Sequence, residues 1–479
     1  MKKNRPLFRQ LTPKQVRQID ENGRRILEQI GIHIIGDTVF DRLHKAGVEI
    51  DHDNSRIRFN SACLSKLINH APPRFTLFSR DGRNDLHMGK GNVYFGNGGR
   101  VFRILDMNTG GYRYTLLKDI INTAILVDHL EYIRFYIIAC QAHDLKPENY
   151  HLNDFYCAFN HTTKHVIGGC DDVQGAEQMW KLASLIAGNE SRLRERPFVS
   201  VITNMISPLT CDANTLNILD FCTCRGIPVT CAPAPIASAT APATLAGTLS
   251  LMHAEALAGV AITQALTPGA KVLYGAVPAT MDLRTMEYTM GAVEMGMMNT
   301  SAVQLAKLYN LPIYASGGLT EAKRPDVQAG FEKLFSNTTV AMAGADFIHL
   351  AAGLMDSGNS LSYEQFVIDD EIIGMIHRML TGIRVDEETL GFDVISEVGP
   401  GGNYMMEEHT INHMHDEYFY PNLCVRSNFD IWEEKGRPDM LSKAHKIVEK
   451  TLAKGSESRL APGLIKRIKK AFPSVLEHS

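Results

Sequence analysis

"PIYASGGLTEAKRPDVQAGFEKLFSNTTVAMAGADFIHL", residues 312–350, holds two short apolar runs with a helix-length segment between them. Pro312–Ser316 reads as a buried strand and Asp346–Leu350 as a second. Gly317 and Gly318 end the first run, and Thr320, Glu321, Lys323, Arg324 and Asp326 follow in quick succession. Strand, polar helix start, strand is the pattern of a right-handed βαβ unit. Thr320 is expected to cap the helix, with the charges behind it at the rim.

The alternation extends outward from this unit. Further strands are expected at Tyr132–Ile137, His165–Gly169, Phe198–Thr203, Pro228–Cys231 and Lys271–Gly275. Helix-length segments such as Leu245–Leu266 and Met290–Tyr309 separate them. Strands and helices in alternation predict an α/β fold with a parallel sheet. Seven units approach the eight of a TIM (β/α)8 barrel, with the eighth strand unplaced. An open doubly wound sheet is the alternative, weakened by the missing G-x-G-x-x-G turn.

The barrel is expected over residues 116–435, between an N-terminal α+β region (1–115) and C-terminal helices (436–479). Thr12, Pro13 and Gln15 signal a capped first helix, with Val16, Ile19, Ile26, Leu27 and Ile30 on one stripe. "RVFRILDMNTGGYRYTLL" reads as a hairpin turning at Asn108–Gly111, and "NVYFGNGG" before it as another strand.

The 479 residues carry a formal charge of −4, which favours neither nucleic acid nor a membrane surface as a partner. Met1–Thr12 has Lys2, Lys3, Arg5 and Arg9 but no apolar stretch of leader length. No apolar run reaches the roughly 18 residues of a membrane span. The nine cysteines form no C-x-x-C pair, so reduced thiols and a cytoplasmic protein are expected.

In a TIM barrel the chemistry sits where strands end. The expected ends are rich in small residues: Gly168-Gly169-Cys170-Asp171, Thr203-Asn204-Met205, Gly317-Gly318-Leu319, and His349 ahead of Ala351-Ala352-Gly353. The usual signatures are absent: no G-x-S-x-G, no P-loop, no H-E-x-x-H. His409 and His413, four apart with Glu407 and His415 nearby, suit either a metal or a solvated polar helix. Asp171-Asp172 and Asp369-Asp370-Glu371 suit either acid/base work or helix starts. Tyr94, Phe95, Tyr274, Tyr314, Tyr363, Phe366, Tyr418 and Phe419 suit either a cage for a quaternary ammonium or core packing.

Four stretches carry a resemblance: "YGAVPATMDLRT" (274–285), "GGLTEAKRPDVQAGFEK" (317–333), "DSGNSLSYEQFVIDDEIIGMI" (356–376) and "VGPGGNYMMEEHTINHM" (398–414). With "RILEQIGI" near the N-terminus, they resemble the trimethylamine methyltransferase (MttB) superfamily over nearly the whole chain. The resemblance implies a TIM barrel that moves a methyl group from a methylamine to the cobalt of a corrinoid carried by a separate cognate protein. In the trimethylamine enzymes a pyrrolysine falls at or beside Leu319; here the residues are ordinary. That is similar to the non-pyrrolysine branch, which demethylates quaternary amines. Glycine betaine is the first expected substrate, with proline betaine, carnitine and butyrobetaine behind it.

Within that resemblance His349 is the expected partner of a betaine carboxylate, followed by Asn204 and Arg284. Glu364 is a candidate to balance the cation, and Tyr94, Phe95, Tyr274 and Tyr363 are candidate cage residues. Gly317, Gly318 and Leu319 are expected to face the corrinoid. No metal is expected in this chain, and a homo-oligomer is. The rival functions are a betaine binder that passes no methyl on, and a metal-dependent barrel lyase or hydrolase built on His409 and His413.

Overall fold

The computed structural model describes residues 8–36, 39–455 and 457–476. The basic stretch ahead of Phe8, on which the expectation of no leader partly rests, lies outside the described residues.

Eight parallel strands close into a barrel: β1 Tyr94–Asn97, β2 Ile133–Ile137, β3 His165–Gly169, β4 Val199–Thr203, β5 Val229–Cys231, β6 Val272–Ala276, β7 Ile313–Ser316 and β8 Phe347–Ala352. A helix α1 (Pro13–Gln29) precedes them. The helices that follow the strands in turn are α2 Leu117–His129, α3 Tyr150–His161, α4 Val173–Ala187, α5 Ala213–Thr223, α6 Leu245–Leu266, α7 Val293–Leu308, α8 Val327–Ala343 and α9 Tyr363–Thr381. β2 to β8 fall within two residues of the apolar runs that announce them. Their burial on both faces explains why they read as continuous runs; all of β6 and β7 is buried.

The strand that sequence left unplaced is β1, inside "NVYFGNGG" and before residue 116. It closes the barrel against β8, with Phe347 opposite Tyr94 and Ile348 opposite Phe95. A Cβ on Gly96 would lie 1.9 Å from the Phe135 ring, so glycine lets that ring enter the lumen. Phe135 and Phe347 stack at 3.6 Å between centroids, Tyr314 stacks on Phe347 at 5.3 Å, and His349 on Tyr314 at 3.8 Å. This aromatic column fills the barrel. Leu77, Leu86 and Met88, from the hairpin leading into β1, pack on its lower part.

α1 is capped as its sequence predicts, by Thr12 and Gln15 in a reciprocal box with Pro13 at the first turn. It packs on α6, where Asp20 meets His253 Nε2 at 2.9 Å. α6 is 22 residues and apolar on every side, long enough by length and composition to cross a membrane. That departs from the sequence reading, but most of the helix is buried between β5, β6, α1 and its helical neighbours. An all-round apolar helix with two apolar neighbours is a core helix.

The opening stretch departs from expectation at its turn. Asp326 caps α8, accepting from Ala329 N at 3.1 Å. Thr320 is buried and its hydroxyl donates to Glu332 at 2.5 Å. Glu321 accepts from Met290 N and Gly291 N, and Lys323 pairs with Asp356. The charges after the glycines thus tie the loops above β6, β7 and β8 together. Gly318 has φ +65°, and a Cβ there would sit 2.4 Å from the Ala351 carbonyl oxygen. Gly318→Ala is expected to cost about 2 kcal/mol or more, through both strain and collision. A urea midpoint that falls with unchanged slope would register it.

Beyond α9, residues 383–434 leave the barrel as an arm of four short helices: α10 Glu387–Leu390, α11 Phe392–Val398, α12 Glu408–Glu417 and α13 Phe429–Glu434. The chain then returns as α14 (Met440–Lys454), which packs on α9 and α2, and α15 (Pro462–Ala471).

Candidate active site at the barrel mouth

A cavity of about 550 Å³ opens at the C-terminal ends of the strands, within the roughly 300–1,000 Å³ of small-molecule sites. Its floor is the top of the aromatic column, Tyr314 and His349. β3 contributes Gly168 and Gly169 with Cys170 and Asp171 after them; β4 contributes Ile202 and Thr203, then Asn204. Tyr288 and Met290 reach it from the hairpin after β6, and Arg100 and Leu350 stand at its edge. Both Arg100 and Leu350 hold φ near +60°, a left-handed backbone that costs a non-glycine residue energy. Such strain concentrates at functional sites.

The electrostatics separate into a neutral floor and a charged wall. Burial drives the His349 imidazole well below its ordinary pKa, so it is neutral at pH 7. Its Nε2 shares a 2.8 Å hydrogen bond with Ser316 Oγ. Burial also raises the Tyr314 phenol. Cys170 is pushed up to about 12 by burial, with the Asp171 charge adding, so its thiol stays protonated and is no nucleophile.

The wall is a cluster of Arg100, Asp171, His151 and Asp154. Arg100 donates to both Asp171 oxygens, at 2.9 and 3.1 Å, and Asp171 N donates to His151 Nε2 at 3.1 Å. Burial raises the Asp171 carboxyl, but the bond and charge of Arg100, with His151, outweigh it and hold the group below its usual range. Asp154, from α3, is 5% exposed and lines the cavity. Its Oδ1 has no hydrogen-bond partner. Burial pushes its carboxyl up to about 7, with Arg100 opposing and Asp171 reinforcing the shift. A buried carboxylate oxygen without a partner is costly unless a ligand supplies one.

Of the residues singled out from sequence, His349, Asn204, Tyr314 and Asp171 line this cavity, as do the strand ends Gly168–Cys170 and Thr203. The other candidate substrate-binding residues lie elsewhere. Tyr94 and Phe95 line a separate cavity of about 170 Å³ at the opposite end of β1, beside Tyr132 and His377, because they precede the strand's mouth end. Tyr274 points outward from the barrel, its hydroxyl 2.7 Å from His253 Nδ1 under α6. Tyr363 starts α9 and bonds Asp119 at 2.5 Å and Asn122 at 3.0 Å. Glu364 faces α14, accepting from Ser362 Oγ at 2.9 Å with His445 Nδ1 at 3.1 Å. Arg284 is exposed on the hairpin after β6 and bonds Asp282. Gly317, Gly318 and Leu319 are buried; Gly317 N donates to His349 O at 3.1 Å and Gly318 N to Ser336 Oγ at 3.0 Å.

Apart from Asp171 in the cavity wall, the paired carboxylates resolve into separate structural roles. Asp172 caps α4, Asp370 accepts from Tyr132 N, and Glu371 accepts from Asn422 N, Leu423 N and Cys424 N. The His409 and His413 rings lie 4.4 Å apart in the arm, tilted by 52°, and His413 lies 3.6 Å from Glu388. Among the described residues no group of three or more His, Cys, Asp or Glu is placed to hold a metal ion.

A profile of the family described as trimethylamine methyltransferase (MTTB) matches residues 1–472. The glycine betaine methyltransferase of Desulfitobacterium hafniense (strain Y51) is 31% identical over 94% of this chain and 93% of its own. A trimethylamine methyltransferase MttB from D. hafniense (strain DSM 10664 / DCB-2) is 31% identical over 88% of this chain and 84% of its own. In fold, the monomethylamine methyltransferase MtmB of Methanosarcina barkeri superposes with a TM-score of 0.51 at 12% identity, over 93% of each chain. A hydroxylamine complex of MtmB gives 0.56, also at 12% identity, over 94% of this chain and 89% of that one.

Proposed function

The chain belongs to the trimethylamine methyltransferase (MTTB) family and is a methyltransferase, and from that premise we propose that its methyl donor is a quaternary amine, glycine betaine first. The acceptor in this reading is Co(I) of a corrinoid on a separate protein. The observation that carries the donor is the unpartnered Asp154 oxygen beside Arg100 in a mouth cavity with a neutral floor. A fixed cation completes the first group and a carboxylate the second, which together describe a zwitterion.

Magnitudes favour the carboxylate over an aromatic cage. The Tyr314 ring is stacked between Phe347 and His349, so little of its face is open to a cation. One remaining tyrosine, Tyr288, would contribute on the order of 1–2 kcal/mol. A carboxylate about 4 Å from an ammonium is worth about 4 kcal/mol at an effective dielectric of 20.

The chemistry then asks little of the protein. The acceptor supplies a nucleophile that takes the methyl. The C–N bond breaks with its electron pair left on nitrogen, and a neutral tertiary amine departs without needing a proton. The site needs no general acid, which fits a neutral His349 and a protonated Cys170. Asp154 holds the ammonium, Arg100 meets the carboxylate, and the cavity walls exclude water and aim one methyl outward. Ile206, Leu283 and Met286 are exposed near the mouth and give the partner an apolar rest.

Anaerobic mixing of the protein with Co(I) cobalamin and a panel of amines tests the reading by the visible absorbance change on cobalt methylation. Methylation by a quaternary amine and none by trimethylamine is expected. Methylation by trimethylamine alone, or by no quaternary amine even with the cognate corrinoid protein, overturns it.

A further inference from the structure

We propose that residues 383–434 are a dimerisation arm, each copy's arm docking on a second copy of this chain. The helices α10 to α13 contain no buried residue. Val385, Phe392, Met405 and Met406 are 71%, 76%, 81% and 85% exposed. Apolar side chains so placed on an isolated chain exceed the scattered exposure normal for a surface. Ordering backbone costs on the order of 1–2 kcal/mol per residue, which burial must offset. Among the described residues that burial exists only at the arm's root. There Phe419 packs near Tyr132, at 6.4 Å between centroids, and Leu423 is buried where Glu371 gathers its backbone N–H.

The choice of partner follows from permanence and charge. A protein that docks once per turnover would leave this surface in water between visits; a second copy covers it from assembly onward. The arm holds 12 of the chain's 53 Asp and Glu but only 2 of its 49 Lys and Arg, a net of −10. The remainder, with 47 basic and 41 acidic residues, is +6. Arm and body of one sequence are thus opposite in sign, and a second copy brings the complement of each. The arm also carries its own receptacle. A groove of about 620 Å³ between α10, α11 and α12 is lined by Glu387, Glu397 and Glu407 together with Leu390, Phe392 and Val394. An acidic and apolar groove suits a basic and apolar face. Reciprocal docking about a two-fold axis closes the assembly.

Sedimentation velocity of the full chain at micromolar concentration tests this. The expected species is a dimer of the 53.2 kDa chain, loosened as salt rises from about 50 to about 500 mM. Phe392→Asp and, separately, the double change Met405→Asp with Met406→Asp are expected to weaken association at least tenfold. Their far-ultraviolet circular dichroism should keep the barrel signal, since these side chains are exposed in the single chain. A wild-type monomer at tens of micromolar overturns the proposal, as does a dimer that ignores both variants. So does a monomer whose arm variants block methyl transfer to the corrinoid protein while sparing free cobalamin, which would assign the arm to that partner.

Discussion

Asp154→Asn is expected to weaken binding of a trimethylammonium substrate by about 30- to 100-fold. The attraction lost is about 2–3 kcal/mol once the opposing Arg100 charge is allowed for. The pH profile distinguishes loss of charge from loss of shape. Burial places the wild-type carboxyl near 7, so the group is neutral below that pH and ionised above it. A quaternary ammonium keeps its charge throughout. Affinity in the wild type should therefore climb about tenfold per unit up to about pH 7 and level off above, and in the variant stay flat. Titration calorimetry between about pH 5.5 and 8.5 reads both. A flat wild-type profile would sink the role given to Asp154. Folding supplies the control. The folded pKa lies above the unfolded value of about 3.9, so folding takes up a proton and stability falls as pH rises from about 4 to about 7. The variant lacks that loss, and its Tm at pH 8 should equal or exceed the wild type's. Weaker binding in a protein no less stable is the signature of a site that trades stability for recognition.

Asp369→Ala should destabilise the fold by about 3–5 kcal/mol, more than any exposed substitution. Lys333 and Asp369 are both 0% exposed and meet at 2.9 Å. Lys333 Nζ also donates to Gly318 O at 2.6 Å, and Asp369 accepts from Gly353 N and Gln365 Nε2, each at 2.8 Å. The pair thus joins the loops after β7 and β8. Burial lowers the Lys333 ammonium and raises the Asp369 carboxyl, each against the pull of the other. Removing one partner strands a buried charge, whereas Lys333→Met combined with Asp369→Leu removes both. The double variant should recover at least half of the single variant's loss in a guanidinium titration. A double variant as unstable as the single one would mean that packing, not charge, carries the site.

The barrel was legible because its strands are buried on both faces and so read as unbroken apolar runs. From sequence β1 reads as a strand but not as a barrel strand. It is four residues long, Gly96 interrupts it to admit Phe135, and the chain before it looks α+β. His349 and Asn204 were legible from their positions at strand ends. The aromatics were not, because alternation along a strand fixes which residues share a face and not which face is the lumen. Tyr314 points inward and Tyr274, at the centre of the neighbouring strand, points outward to His253. Asp154 is not legible from strand ends because it sits on a crossover helix. The fold supplies the signal: His151 to Asn160 are ten consecutive buried residues, and a carboxylate among them needs a reason.

The closing pair of the barrel has a consequence for synthesis. β1 ends at residue 97 and its partner β8 begins at 347, so 250 residues must emerge before the two can meet. At roughly 5–20 residues per second on a ribosome, one edge of β1 waits about 12–50 seconds for its neighbour. A long apolar edge exposed for that time invites pairing with other nascent chains. β1 has four residues and a glycine in third place, an edge short enough to wait.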